Sequence, residues 1–268
     1  MADESERSVI SPARLGRLCI ETVGEMGRIS LFLGNVFVKT VMPPYAFRRI
    51  LQQVHFIGMK SLFVVALTGL FTGMVLGLQL YYVLVRFGSE TVLGVAVALS
   101  LVRELGPVLT ALMVTGRAGS SMAAELGIMR ISEQIDALDT MNIDPVRYLV
   151  SPRLAACIIC FPLLTAIFDV IGIIGGYLTG VLLLGTNSGT FIWRMEAGVT
   201  AQDVFGGFYK SIVFAIIVCI ICCYQGYYTH LRREGFGARG VSLSTTTAVV
   251  MSSVLILVSD YVLTSFLL

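Results

Sequence analysis

Long apolar runs, each ended by charge, organise most of this chain. Residues 61–85 lie between Lys60 and Arg86 without a charge, and residues 211–229 and 240–259 are similar. A helix needs about 20 predominantly apolar residues to cross a bilayer, so each run predicts a span. Residues 91–116 and 154 to about 184 are long enough only if they tolerate charge, Arg103 and Glu104 in the first and Asp169 in the second. The last span is expected to continue past Asp260 toward the C-terminus. The pattern predicts an all-α integral membrane protein with about five transmembrane helices over residues 61–268.

Residues 1–60 read differently. Arg14, Arg17, Glu21, Glu25 and Arg28 are spaced three or four apart on one helical stripe, and Leu15, Cys19, Val23 and Met26 cover the other side. The apolar stretch 29–38 is too short to span, so an amphipathic helix lying in the cytoplasmic interface is expected, or one packed on another subunit. Pro43 and Pro44 then break the chain. In the hydrophilic segment 117–153, Ile131, Ile135 and Leu138 recur at helical spacing while Glu133, Asp136 and Asp139 point elsewhere, which predicts a short amphipathic helix over 131–141. Asp144 before Pro145 and Ser151 before Pro152 each predict a helix start. Segment 185–209 mixes turn residues with the single Trp193, as suits an outer interface.

Composition narrows the function. The chain is 56% hydrophobic and only 13% charged, with mean hydropathy +0.86, whereas soluble domains carry about a quarter charged residues. A net charge of +2 leaves no nucleic-acid footprint. The start, MADESERSVI, lacks the layout of a secretory signal. With the N-terminus inside, 15 of the 19 Lys and Arg residues fall in 1–60, 117–153 and 230–239, leaving Arg86, Arg194 and Lys210 on the outer side and Arg103 within a span. The expected topology is N-in and C-out. Cys157 and Cys160, like Cys219 and Cys222, are spaced CxxC but fall inside spans, so they are read as packing residues and no metal is expected. The nearest approaches to a phosphate-binding loop, GNVFVKT and GGFYKS, lack the glycine before lysine, so this chain is not expected to hydrolyse ATP or to be an enzyme. The only histidines, His55 and His230, fall on the expected cytoplasmic side, leaving no base for a nucleophile in the outer GTNSG run.

Two features remain. Gly69, Gly73 and Gly77, and again Gly172, Gly176 and Gly180, form small-residue stripes that suit close helix packing or, more sharply, a homodimer seam. Arg103 and Glu104 within a span must face protein or a water-filled cavity. Neighbours on a helix diverge by about 100°, so each needs a partner elsewhere, across a subunit interface or in a ligand. Gly106 and Pro107 are expected to kink or thin the helix beside them. The pair is either a structural ion lock or the polar wall of a greasy cavity; a ring of such pairs in an oligomeric channel is the alternative of another class.

The block LVRELGPVLTALMVTGRAGSSMAAELGIMRISEQIDALDTMNIDPVRYLVSPRLAA resembles the signature region of the MlaE (YrbE) permeases, the membrane subunits of bacterial ABC transporters that work with MCE-domain proteins. GMVLGLQLYYVL, IGIIGGYLTG, the FYKSIVFA run and VSDYVLT fit the same family, over roughly residue 36 to the C-terminus. The resemblance implies a homodimer in the bacterial inner membrane, two cytoplasmic ABC ATPase subunits that carry ATP and Mg, a periplasmic MCE ring, and a small cytoplasmic regulatory subunit as a further partner. It implies movement of phospholipid or a similar lipid through a cavity between the subunits, with substrate-binding positions at Arg103, Glu104, Tyr81 and Lys210. The short helix, through Glu133, Ile135, Asp136, Leu138 and Asp139, would couple to the ATPase. An anchor for the ring that moves nothing is the third reading. Asp169 and Asp260 are read as helix–helix contacts or cavity-edge residues.

Overall fold

A computed structural model describes residues 12–41, 47–231 and 237–267, with side chains over 23–40, 47–230 and 237–267. The charged stripe through Arg14, Arg17 and Glu21, and Cys19, lie outside the described side chains. The helices are α1 (Pro12–Val41), α2 (Phe47–Arg86), α3 (Glu90–Ile131), α4 (Gln134–Thr140), α5 (Val146–Leu183), α6 (Ser188–Gly198), α7 (Ala201–Tyr227) and α8 (Ala238–Leu267). Among the described residues there are no strands. Five helices, α2, α3, α5, α7 and α8, are long and apolar enough to cross a membrane. The chain is a multi-pass membrane protein.

Most spans are longer than their charge-free runs. The helix expected from residue 211 begins instead at Ala201, so Lys210 lies within α7 and not outside it. Charge-free runs clip a helix wherever a buried charge has its own partners, as Lys210 does. At the N-terminal side, α1 is one continuous helix; Val23, Met26, Leu31, Phe37 and Val38 are exposed on it, while Phe32 and Val36 are buried against the bundle.

The glycine stripes pack on one another within the chain. A methyl on Gly73 would overlap the Gly172 carbonyl, and Gly77 and Gly69 face Gly176 and Phe168 in the same way. Without a hydrophobic force between helices in lipid, such backbone contact is what joins α2 to α5. The homodimer-seam reading is thereby corrected, because both stripes are already used inside one subunit. Gly180 packs instead against Leu93 and Phe191.

Five π-helical turns widen the long helices: His55–Met59 in α2, Leu101–Leu105 and Thr115–Gly119 in α3, and Val146–Val150 and Leu178–Leu183 in α5. Each inserts one residue and disturbs the backbone ladder locally. Arg117, in the second wide turn of α3, answers the turn in α2: its Nη1 donates to the Phe56 carbonyl at 2.6 Å and to Ser61 Oγ at 3.1 Å. The expected kink at Gly106 and Pro107 is replaced by the wide turn directly before them. Likewise Ser151–Pro152 does not start a helix. It follows the wide turn at Val146–Val150 inside one continuous helix, which accommodates the missing proline N–H. The start at Asp144 is present, with Oδ1 accepting from Val146 N at 3.1 Å and Arg147 N at 3.4 Å.

Cys157, Cys160, Cys219, Cys222 and Cys223 are buried without disulfides, and the described residues hold no cluster of metal-ligating type.

Candidate functional site

Gly207 brings the site together. A methyl there would lie 2.5 Å from the Val102 carbonyl, so α7 approaches α3 backbone to backbone beside Arg103 and Glu104. Asp203, Gly207 and Lys210 fall at i, i+4 and i+7 on one face of α7, and that face meets the wide turn of α3.

Arg103 and Glu104 diverge from that turn, and each finds a partner on α7 of the same chain, not across a subunit interface. Arg103 Nε donates to Asp203 Oδ1 at 2.6 Å, with Nη2 at the same distance from that oxygen. Asp203 is fixed from behind, its Oδ2 accepting from Thr200 N at 2.9 Å and Thr200 Oγ1 at 2.8 Å, a reciprocal cap on the start of α7. Lys210 Nζ donates to Glu104 Oε2 at 2.8 Å, to the Arg103 carbonyl at 2.9 Å and to Thr264 Oγ1 at 2.6 Å. Those three bonds account for all its donors. Asp260 Oδ1 stands 3.2 Å from the same ammonium, and Thr264 Oγ donates to Glu104 at 3.1 Å. Asp260 is thus a helix–helix contact between α8 and α7.

Accessibility separates the members. The Lys210 side chain is 3% exposed and that of Asp203 7%, whereas Arg103 and Glu104 keep 43% and 39%. A cavity of about 440 Å³ opens beside them, lined also by Gln202, Phe205, Tyr209 and Thr264. The arrangement presents one cation and one carboxylate to the cavity and holds the other charges behind them. Tyr81 lies elsewhere: on α2, edge-on to Tyr82, and outside the residues that line this cavity. Asp169 lies against Gly106 and has no hydrogen bond on Oδ1.

Asp203 and Thr264 escaped the sequence reading. Thr200-x-x-Asp203 has the spacing of a capping pair, and Asp203 to Lys210 is two helical turns; together these were the available signal.

At the opposite end, α3 runs through Ile131, so the short helix is α4 (Gln134–Thr140) and not 131–141. Glu133 before it and Asn142 after it both take left-handed backbone, φ 57°. These two turns set α4 apart from α3 and α5. Ile135 is fully buried and pins α4 down, Leu138 is half-buried, and Glu133, Asp136 and Asp139 are exposed. Arg130 donates to Asp136 Oδ1 at 2.8 Å and to His230 Nδ1 at 2.9 Å, joining α3, α4 and the segment after α7. Partial burial and the Arg130 charge push His230 below its ordinary value of 6.5. Lys39 of α1 pairs with Asp144. Asp144 is held below the usual carboxylate range: burial opposes this, but the Lys39 bond, the backbone N–H bonds and the Lys39 charge outweigh it.

Five spanning helices, three of which (α3, α7 and α8) line a charged cavity, are the architecture of a membrane permease subunit. Residues 50–266 match the family of the permease MlaE, and the chain belongs to that family. It is 46% identical over 250 residues, 93% of this chain and 95% of the other, to the probable ABC transporter permease protein of Rickettsia bellii. Identity is 41% over 254 residues, 94% and 95% of the two chains, to the intermembrane phospholipid transport system permease protein MlaE of Haemophilus influenzae. The chloroplastic protein TRIGALACTOSYLDIACYLGLYCEROL 1 of Arabidopsis thaliana is 37% identical over 238 residues, 89% of this chain and 67% of the other.

Proposed function

We propose that this chain moves phospholipid as the membrane subunit of an ATP-driven transporter in the bacterial inner membrane, two copies enclosing the lipid path. The observation that carries the reading is the half-exposed Arg103 and Glu104 side by side on the wall of the 440 Å³ cavity in otherwise apolar helices. An amphiphile needs apolar walls for acyl chains and a few fixed charges for its headgroup. Arg103 holds the phosphate, with Asp203 orienting its guanidinium; Glu104 receives an amine, with Lys210 and Thr264 holding it in place. Lys210 thus positions a binding residue more than it binds. Tyr81 belongs to the outer rim of the space between copies.

The exposed face of α4, through Glu133, Asp136 and Leu138, docks a cytoplasmic ABC ATPase that supplies ATP and Mg, with Ile135 as its anchor and Asp139 at the edge of that face toward α1. This requires the N-in, C-out topology. An MCE ring receives or delivers lipid on the periplasmic side, and a small regulatory subunit sits with the ATPase. Relatives named as ABC permeases and as part of a phospholipid transport system support this reading.

Native mass spectrometry of the chain gently extracted with its partners tests it. Two copies with two ATPases, an MCE ring and a lipid lost on Arg103→Glu is the expected result. A lone oligomer whose lipid is indifferent to Arg103 and Glu104 would move a channel or a passive anchor to the front.

A further inference from the structure

A second cavity lies away from the charge cluster. It holds about 540 Å³, within the roughly 300–1,000 Å³ of small-molecule sites, and three separate parts of the chain enclose it. Arg28, Leu31, Phe32, Asn35 and Lys39 come from α1, Asp139, Asn142 and Asp144 from α4 and the turn after it, and Tyr227 and Tyr228 from the end of α7.

Its charges sort into a closed pair and an open pair. Lys39 and Asp144 neutralise each other across one wall. Arg28 and Asp139 remain, both exposed, and Asp139 has no ion pair among the described residues. The Tyr224 hydroxyl accepts from Arg28 Nε at 3.4 Å, which holds the guanidinium at the cavity. The rings of Tyr227 and Tyr228 stand 5.1 Å apart at the cavity, and Tyr227 already carries the Arg130 guanidinium 5.6 Å over its ring, an environment of the kind that holds cations. A ligand matched to this lining carries an anionic group for Arg28 and a cationic group for Asp139, as a phosphate and an ammonium do.

Leu31 decides the source of that ligand. It lines the cavity and is 77% exposed, on the same helix as the exposed Val23, Met26, Phe37 and Val38. An apolar doorstep on an interfacial helix leads acyl chains back toward the bilayer while the headgroup enters. We infer that this cavity binds the headgroup of an aminophospholipid from the cytoplasmic leaflet, phosphate on Arg28 and ammonium on Asp139 beneath the tyrosines. The inference rests on the topology proposed above, but its site is separate from the transport cavity. Because Asp139 and Asn142 belong to α4 and its left-handed turn, an occupied site fastens the coupling helix to α1, so leaflet composition bears on ATPase coupling.

The test is native mass spectrometry of the full chain, with its co-purifying partners, released from nanodiscs of equal palmitoyl-oleoyl phosphatidylethanolamine and phosphatidylglycerol. Wild type should retain phosphatidylethanolamine at this site. Arg28→Glu should lower that retention by roughly tenfold or more, as expected for losing a charge-assisted contact, and Arg28→Lys should restore most of it. Asp139→Asn should erase the preference for phosphatidylethanolamine over phosphatidylglycerol. Arg103→Glu should remove lipid independently, so the two sites fail separately. Retention unchanged in Arg28→Glu overturns the inference, including the case in which that variant sheds only the ATPase. Displacement by micromolar glycerophosphoethanolamine, which has no acyl chains, overturns the lipid source.

Discussion

The two ends of α7 carry charge in opposite ways. At one end Lys210 is 3% exposed and sits among Glu104, Asp260 and Thr264, residues about 50 to 106 positions away in sequence. At the other, Arg130, Asp136 and His230 form a network in which Asp136 is 54% exposed. Taking a charge out of water is expensive, so a buried ion is stable only while every partner is present. Exposed pairs gain little and are easily remade, typically within about 1 kcal/mol. The first end therefore specifies one arrangement of α3, α7 and α8, while the second is suited to letting go.

The contrast predicts a ranking of effects. Lys210→Met leaves Glu104 and Asp260 facing each other without a cation and should cost about 3–5 kcal/mol, read as a large fall in the thermal midpoint of the detergent-solubilised protein. Adding Glu104→Gln should recover part of that loss; strict additivity of the two would break the claim that they form one unit. Gly73→Leu forces α2 from α5 and should destabilise by about 1–3 kcal/mol or more, without touching either charged end. At the α4 end, Leu138→Asp should release the ATPase in a pull-down while the thermal midpoint stays close to wild type, since Leu138 is only half-buried. Arg130→Ala should cost about 1 kcal/mol or less.

Acidity sharpens the same comparison at the α4 end. His230 has a depressed pKa in the folded protein, so its neutral form contributes stability above about 6.5 that is lost as pH falls through that value toward the folded one. Asp144 is also depressed, so the contribution of its pair with Lys39 is full above about 3.8 and is lost as pH falls through the lower folded value. Hydrogen exchange across α4 and the 142–146 turn should loosen first as pH falls below about 6.5, and Arg130→Ala should shrink that step, since burial remains its larger cause, without moving the more acidic one.

The spans and the presence of the helix α1 before them could be read from apolar periodicity alone, because in lipid that pattern is the fold's main constraint. Arg103 and Glu104 stood out for the same reason. What stayed hidden was pairing. Asp203 and Lys210 looked like residues of an outer loop until Gly207 showed why α7 reaches α3 there, and Thr264 looked like any hydroxyl in a span. The glycine stripes were visible, yet nothing in a one-dimensional pattern says that Gly73 meets Gly172 rather than another copy. Wide turns are equally silent: two of the five lie just before Pro107 and Pro152, but the other three have no proline beside them to announce them.

Those wide turns amount to slack wound into the shafts. One residue of an ordinary helix advances about 1.5 Å and rotates about 100°. α3 holds two such loops, one carrying Arg103 and Glu104 and one carrying Arg117, between the cavity and α4. Releasing either would swing everything beyond it by about a quarter turn, with no hinge in the backbone. A single rod so built has the form of an escapement, in which a small release at one end would re-aim the teeth at the other.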